Sequence, residues 1–377
     1  MVPVSSGRRP ARVPERILRE LPKVCLHDHL DGALRPATVA ELAEAVGHRL
    51  PAGDPEALGR WFRASAASGS LPGYLATFEH TVAVLQSPEA LVRCAREYVE
   101  DLVADGVVHA EVRWAPEQHT RGGLSMAEAV EAVRLGLSEG VLAAEDAGHI
   151  ISVTQILSAL RHGDRSMEVA RLVVADRDRG VVAFDLAGPE DGFPPARHRP
   201  ALELLADELV PVTLHAGEAA GVDSIRDALA TGRALRLGHG VRIAEDIEID
   251  VDRVDDVAVV DLGRTAQWVR DRGIALEVCP TSNLQTGAVA AFGAGIAQHP
   301  VDLLYRTGFA VTVSPDNRLM GGTTVTDELA LLVTHFGYGP EDLERLQRNA
   351  AAAAFLPLED RTALEGVIAE GFEGLHG

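Results

Sequence analysis

The sequence is poor in cysteine, in lysine and in long apolar stretches. Its three cysteines, Cys25, Cys94 and Cys279, are odd in number and widely spaced, which excludes a disulfide framework and a metal site built from cysteine alone. Lys23 is the only lysine among 377 residues, and arginine supplies the rest of the positive charge. No apolar run is long enough to span a bilayer, so we expect no membrane segment.

Positive charge is scarce overall, since the formal net charge is -21. A chain this acidic repels phosphates, so neither a nucleic acid nor an anionic membrane is expected as a partner. Residues 1–20 include Arg8, Arg9 and Arg12 with no apolar stretch after them, so we expect no secretory signal there. Together with the few cysteines, this favours a reducing, cytoplasmic location. The sequence predicts no particular oligomeric state.

What the chain does contain is a repeated alternation of short apolar runs and helical patterns. Parallel βα units produce this alternation, and eight of them are the number in a closed (β/α)8 TIM barrel. An open doubly wound sheet would call for a glycine-rich phosphate loop, and the sequence has none. The eight runs are Val24–Asp28, Val107–Trp114, Ile150–Leu157, Val181–Leu186, Val212–His215, Leu235–His239, Ile274–Val278 and Ala310–Ser314.

We therefore predict an α/β fold in which residues 1–377 form a single barrel domain. The first connection, from Arg35 to Asp105, is unusually long. It is predicted to form a helical insertion over about residues 36–105 that covers the catalytic face, because long connections after barrel strands lie there. The segment after Thr324 has a helical pattern and is predicted to form C-terminal helices.

Polar residues gather where the runs end. His27 and His29 are two apart on a strand, so both side chains point to the same side. His215 and Asp316 close two further runs, and in a barrel all these ends meet on one face. Three imidazoles and one carboxylate leave room for a water, which is typical of a catalytic zinc site. Burying four such polar groups without a shared function would cost a few kcal/mol of folding free energy for each group.

Two further polar residues stand next to these ends. Glu218 follows His215 by three residues, a spacing that suits a proton donor better than a further ligand. His239 stands before Gly240 at the end of run six and could orient the attacking water or take its proton. The alternative for Glu218 is a carboxylate that is stabilised at the N-terminus of a helix by the helix dipole. The alternative for His239 is a purely structural histidine.

Two familiar zinc motifs do not apply. His109-Ala110-Glu111 matches the H-x-E of cytidine-type deaminases, but the P-C-x-x-C that completes that motif is missing. We interpret these three residues as sheet positions inside run two. The H-E-x-x-H of zinc proteases is missing as well.

Four short segments stand out: HDHLDG at His27–Gly32, HAGE at His215–Glu218, LGHG at Leu237–Gly240 and PDN at Pro315–Asn317. Taken together, they resemble the adenosine deaminase family of metal-dependent amidohydrolases, bacterial members included. Two more segments, DLAG at Asp185–Gly188 and EVRWAPEQH at Glu111–His119, are similar to family segments, and order and spacing match from about Pro22 to Gly322. Each motif alone is unspecific, whereas the combination is highly specific.

The resemblance implies zinc-dependent hydrolytic deamination of adenosine, and of 2′-deoxyadenosine, to inosine and ammonia in purine salvage. It implies one zinc per subunit, a purine nucleoside as small-molecule partner, and a role for each motif residue. His27, His29, His215 and Asp316 would bind zinc, Glu218 would protonate N1, and His239 would position the hydroxide for attack at C6. Gly188 would donate its N–H to N3, Asp31 would meet the 5′-hydroxyl, Asn317 would face N7, and His29 would also contact the substrate.

The insertion contributes one more element of the predicted site. Leu71, Tyr74, Leu75 and Phe78 are spaced i, i+3, i+4 and i+7, which predicts one apolar helix face. Periodicity alone favours ordinary core packing for such a face. In the family the matching helix covers the ribose, so the resemblance implies substrate contact for these four residues.

The sequence departs from the best-known family pattern at three positions. Asn317 stands where many members have a second aspartate, and its amide can still donate to N7. Pro315 replaces the usual threonine, which removes a backbone donor and alters the loop. Tyr74 stands where phenylalanine is commoner, and its hydroxyl could tune the preference for the 5′ group.

Three alternatives stay open from the residues. A binuclear hydrolase usually bridges its metals with a carbamylated lysine on a middle strand. The only lysine here, Lys23, lies just before the first run, so no lysine is available for such a bridge. Another adenine nucleoside, such as methylthioadenosine or aminofutalosine, could be the substrate, whereas AMP is disfavoured by the lack of a basic cluster. A non-catalytic nucleoside-binding protein is expected to have lost Glu218 or a ligand, and all are present.

Overall fold

A computed structural model describes residues 13–252 and 257–375. All eight predicted runs overlap strands, and the third strand continues to Leu160, three residues beyond its run. The strands are β1 Lys23–His29, β2 Val107–Trp114, β3 Ser152–Leu160, β4 Val181–Ala187, β5 Thr213–Ala216, β6 Arg236–His239, β7 Ile247–Asp252, β8 Val257–Leu262, β9 Ala275–Val278 and β10 Val311–Val313.

α-Helices separate most of these strands, and short 3-10 turns follow several of them. The α-helices are α1 Glu15–Glu20, α2 Pro36–Val46, α3 Pro55–Ala66, α4 Leu71–Leu75, α5 Phe78–Val84, α6 Pro88–Ala104, α7 Met126–Asp146, α8 Ser166–Asp176, α9 Arg199–Asp207, α10 Val222–Ala230, α11 Arg264–Asp271, α12 Pro280–Gln285, α13 Val301–Arg306, α14 Arg318–Gly321, α15 Val325–Phe336, α16 Pro340–Ala353 and α17 Leu358–Phe372. In the described ranges, none of these helices has both the length and the apolarity needed to cross a membrane.

Eight parallel strands form a ring from two four-stranded sheets. One sheet has the order β1-β2-β3-β4 and the other β10-β9-β6-β5. A parallel bridge between Phe184 and Val212 joins β4 to the start of β5, and a second between Asp28 and Asp316 joins β1 to the end of β10. At the second seam, the N–H of Asp316 donates to the carbonyl of His27 at 3.0 Å. The predicted (β/α)8 barrel is confirmed, with helices outside and a buried apolar core between the layers.

The connection between β1 and β2 is helical, as predicted, and holds α2 to α6. Local chemistry explains where its helices begin and end. Pro36 occupies the first turn of α2, and Gly47 ends that helix in a left-handed conformation with φ 69°. The Asp54 side chain accepts the N–H of Ala57 at 2.8 Å to start α3, and Ser87 caps α6 in the same way.

An antiparallel pair, β7 and β8, follows β6 and stands outside the ring, and our sequence reading did not predict it. Ile247 pairs with Leu262 and Ile249 with Val260. The segment Ile247–Asp252 alternates apolar and acidic residues, the pattern of a half-exposed strand, so a signal was present. Ile249 is indeed half exposed.

Candidate active site

The predicted ligand residues converge at the carboxyl ends of three barrel strands. His27 and His29 lie on β1, His215 lies on β5, and Asp316 follows β10 by three residues. Their ligand-type atoms all lie within 4.8 Å of one another. Asp316 Oδ1 is 3.2 Å from His27 Nε2 and 3.3 Å from His29 Nε2. The strands thus bring together four groups that the sequence separates by almost 290 positions.

The residues of this group fit a metal ion. His27 Nε2 is fully buried and has no hydrogen-bond partner of acceptable geometry, although Asp316 lies close by. The Nε2 atoms of His29 and His215 face each other at 3.3 Å, where two unprotonated nitrogens would repel unless a cation lay between them. Imidazole nitrogen and carboxylate oxygen are donors that zinc accepts readily. The group could therefore hold a metal.

Carboxylates and a hydroxyl orient these groups from behind. His27 Nδ1–H donates to Glu277 Oε2 at 2.8 Å, and His215 Nδ1–H donates to Asp185 Oδ2 at 3.0 Å. The Ser282 hydroxyl donates to Asp316 Oδ2 at 2.6 Å. With Nδ1 protonated, each imidazole turns the lone pair of Nε2 toward the centre of the group.

Sequence reasoning assigned no role to these supporting residues. Asp185 belongs to the DLAG segment, which is similar to a family segment, but the resemblance assigned no role to this residue. Glu277 lies within the seventh run, where a charged residue in a buried strand was a signal that our prediction did not use. Ser282 carries no sequence signal that separates it from an ordinary helix residue.

Glu218 and His239 lie against each other beside the metal-binding group. Glu218 Oε2 is 3.5 Å from His239 Nε2, and both side chains are almost fully buried. Burial raises the pKa of Glu218 well above its usual value, and the charges of Asp316 and Glu190 raise it further. Burial lowers the pKa of His239, as does the neighbouring His27. Both shifts favour the uncharged form, that is the carboxylic acid of Glu218 and the neutral imidazole of His239.

A hydrogen-bond chain defines the tautomer of His239. Asn283 Oδ1 accepts from the N–H of Cys279 and from His299, so its amide nitrogen is the atom 3.0 Å from His239 Nδ1. That nitrogen donates, which leaves Nδ1 as the acceptor and places the proton on Nε2. The backbone of His239 has φ 61°, and that of Asp316 has φ 64°. Such left-handed non-glycine residues concentrate at functional sites.

The remaining predicted residues surround one cavity of about 350 Å³, onto which the metal-binding group and Glu218 open. Asp31 is buried, its Oδ1 has no partner, and burial followed by the Asp316 charge raises its pKa to about 7. The cavity is also lined by Gln118, Arg121 and His162, which our prediction did not include. The predicted lining residues found there are Asp31, Leu71, Tyr74, Leu75, Phe78, Gly188 and Asn317.

One detail of the prediction is wrong. Leu71, Tyr74, Leu75 and Phe78 all face the cavity, yet they do not belong to one continuous helix. The segment divides into α4 and α5, because the N–H and the hydroxyl of Thr77 both bond to the carbonyl of Tyr74, at 3.1 and 2.7 Å. This local i to i+3 turn replaces the regular helical bonding.

Other sequence expectations concern residues outside the cavity. His109 and Glu111 lie buried on β2, as interpreted. Cys25, Cys94 and Cys279 are free and buried. Lys23 Nζ donates to the carbonyls of Leu18 and Leu21, each at 2.7 Å, near the C-terminus of α1. It lies at the opposite end of β1 from His29 and cannot bridge metals there.

Fold and side chains together define a class: a (β/α)8 barrel whose catalytic face carries a metal-binding His/Asp group and a buried acid. Residues 22–370 match the model of the family described as adenosine deaminase. The adenosine deaminase of Mycolicibacterium vanbaalenii is 52% identical over 348 residues, 92% of this chain and 94% of that protein. Adenosine deaminase 1 of Streptomyces coelicolor is 50% identical over 378 residues, 98% of this chain and 93% of that protein. The chain belongs to the adenosine deaminase family.

Solved structures of similar proteins share the fold over nearly the whole chain. An adenine deaminase from Arthrobacter aurescens is 26% identical with a TM-score of 0.78, covering 93% of this chain and 98% of that chain. The N6-mAMP deaminase of Arabidopsis is 26% identical with a TM-score of 0.78, covering 94% and 99%. These names describe deamination of different purines on one architecture.

Proposed function

We propose that this chain catalyses the hydrolytic deamination of adenosine, and of 2′-deoxyadenosine, to inosine and ammonia in purine salvage. The observation that carries the proposal is the buried Glu218, whose carboxyl has a raised pKa and shares one cavity with the metal-binding group. The two adenosine deaminases above, at 50 and 52% identity over nearly their full length, support adenosine as the substrate.

His27, His29, His215 and Asp316 are the residues that would hold one zinc ion. Zinc bound there would lower the pKa of a coordinated water toward neutrality and so supply a nucleophile at physiological pH. The carboxylates behind two of the imidazoles support this assignment, because such partners typically increase the metal affinity of histidine ligands.

Glu218 acts on the purine ring, which by itself resists attack by water. Its buried carboxyl, whose pKa is raised, delivers a proton to N1, which makes C6 electrophilic. One water adds, one ammonia leaves, and the ring becomes that of inosine. His239 carries its proton on Nε2 in this arrangement, so it can donate to the attacking oxygen and orient it.

The rest of the cavity would hold the nucleoside in place. The Asp31 carboxyl, with one unpartnered oxygen, suits the 5′-hydroxyl. Gly188 offers its N–H to N3, Asn317 faces N7, and His29 contacts the substrate from the metal side. The apolar side chains that would cover the ribose and exclude water are Leu71, Tyr74, Leu75 and Phe78.

We also propose that residues 1–377 form a single domain with residues 36–105 covering the site, and that the protein acts in the cytoplasm. The helices of the insertion pack on the ring through a shared apolar core, which supports the first point. Three free, buried cysteines suit a reducing compartment.

A substrate scan tests the proposal. The zinc-loaded enzyme is assayed with adenosine, adenine, methylthioadenosine and AMP by the change in purine absorbance, and again after metal removal with a chelator. We expect adenosine to be preferred and activity to be lost with the metal. Glu218→Gln should retain zinc and lower kcat at least about 100-fold, the scale of general acid catalysis. A preference for another purine, or near-normal turnover in the variant, would contradict the proposal.

A further inference from the structure

The loop that carries Glu218 is held by a single carboxylate, that of Glu190. Four consecutive backbone N–H groups, Gly217–Ala220, all donate to it. The Ser224 hydroxyl adds a fifth bond, to Oε1 at 2.5 Å. The N–H of Gly217 donates to Oε1 at 2.7 Å, and those of Glu218, Ala219 and Ala220 donate to Oε2 at 3.0, 2.7 and 3.0 Å.

Such an array of N–H groups ahead of a helix normally attracts an anion. The loop lies between β5 and α10, and its successive amides form a concave, positively polarised surface. Here the anion is the side-chain carboxylate of Glu190, which belongs to the same chain and is only 4% exposed. Hydrogen bonds to an ionised acceptor are roughly twice as strong as neutral ones, so five together hold the loop in one conformation.

The position of the Glu218 side chain depends on that conformation. Its own N–H is one of the four donors, so the bond to Glu190 fixes the backbone from which the acid extends. Gly217 packs closely against Ile225, since a Cβ at that position would lie 2.5 Å from the Ile225 side chain, and its φ of 73° favours glycine there. Small displacements of a catalytic group are costly, about 100-fold in rate for 1 Å.

A buried arginine interacts with the acids around this loop. Arg161 is buried, and none of its guanidinium nitrogens has a hydrogen-bond partner in the described structure. Its electrostatic interactions are with acids, Glu190 first, followed by Asp185 and Glu218. The negative charge of Glu190 in turn contributes to the raised pKa of Glu218, after burial and Asp316.

We infer that Glu190 is a positioning residue for catalysis, which fixes the Gly217–Ala220 backbone and so places the Glu218 carboxyl for proton transfer. This inference rests on the proposed role of Glu218. Glu190 itself does not line the cavity and touches no reacting atom.

A double-mutant cycle on the zinc-loaded enzyme tests the inference. Glu190→Gln keeps the size of the side chain but removes its charge and one acceptor oxygen. Asp191→Asn is the matched control, since it removes one negative charge from the next residue, which is exposed and makes no bond to the loop. Each change is introduced into the wild type and into Glu218→Gln. The readouts are kcat, KM, zinc content, melting temperature and hydrogen exchange of the Gly217–Ala220 amides.

We expect Glu190→Gln to lower kcat at least about tenfold in the wild type, with KM and zinc content changed less than about threefold. In the Glu218→Gln background the same change should cost less than about twofold, because the group through which it acts is already gone. Exchange of the loop amides should be faster. Asp191→Asn should change none of these values.

Two results would overturn the inference. One is an equal loss of kcat in both backgrounds, which means that Glu190 acts without Glu218. The other is a Glu190→Gln enzyme as active as the control. If Glu190→Gln does not fold, Glu190→Asp, which keeps the charge on a shorter side chain, is put through the same cycle. A wild type inactive on adenosine would reject the proposed function instead, while the exchange of the loop amides would still report on Glu190.

Discussion

The buried carboxylate of Glu277 makes the sharpest test of how the barrel interior supports the site. It accepts four hydrogen bonds: from His27 Nδ1 at 2.8 Å, Arg113 Nη2 at 2.6 Å, Arg236 Nε at 2.7 Å and Thr213 Oγ1 at 3.0 Å. Burial alone would raise its pKa, yet the two guanidinium groups hold that pKa well below its usual range. Glu277→Gln removes the charge and turns one acceptor into a donor.

The loss of unfolding free energy in Glu277→Gln depends on which acidic partners the two arginines retain. Breaking a buried ion pair from one side costs about 3–5 kcal/mol, because the remaining charge has no water to solvate it. Here Arg113 keeps Asp185 at 3.8 Å and Arg236 keeps Glu111 at 2.6 Å. We therefore expect the lower end, about 3 kcal/mol of unfolding free energy. Loss of the imidazole partner should also weaken zinc binding by about 10–100-fold.

Chemical denaturation of the metal-free protein and zinc competition with a chelator measure the two effects separately. Glu56→Gln is the control, because that carboxylate pairs with Arg60 on the surface with 86% of its side chain exposed. Surface pairs of this kind contribute little, so no measurable change is expected there. The reasoning is refuted if Glu277→Gln unfolds at the same denaturant concentration as the control, or binds zinc as tightly as the wild type.

Two further predictions concern the acid and the purine contact. Burial raises the pKa of Glu218, and Asp316 and Glu190 add to this while Arg161 opposes it, so its active acid form persists above the pH at which an ordinary glutamate ionises. On the alkaline side, kcat/KM should then fall as pH rises through that raised pKa. Glu218→Gln should lose this alkaline limb of the kcat/KM profile. If the limb is unchanged in the variant, it reports the titration of another group. Gly32→Ala should lower kcat/KM about tenfold or more, since its Cβ would lie 1.9 Å from Asn317 Oδ1. Gly53→Ala, whose Cβ meets nothing within 4 Å, is the matched control, and equal kinetics for the two variants would argue against the contact.

Local patterns in the sequence were enough to predict the barrel. The strands are short, buried and rich in branched apolar residues, so each is visible within a window of a few residues. The metal-binding group was also predictable, because its members stand at the ends of such strands and the barrel alone brings those ends together. By contrast, α4 and α5 were predicted as one helix, since hydrophobic spacing does not show a turn in which Thr77 bonds to Tyr74.

The sequence by itself determined the family, the barrel and the identity of the residues at its catalytic face, because these depend on motifs and on hydrophobic periodicity along the chain. Only the tertiary structure decided what holds those residues in place. Glu277 contacts His27 across 250 positions, and Glu190 reaches the loop of Glu218 across 28. No periodicity links such partners, since their contacts arise from strand order in the ring and from the need to neutralise each buried charge.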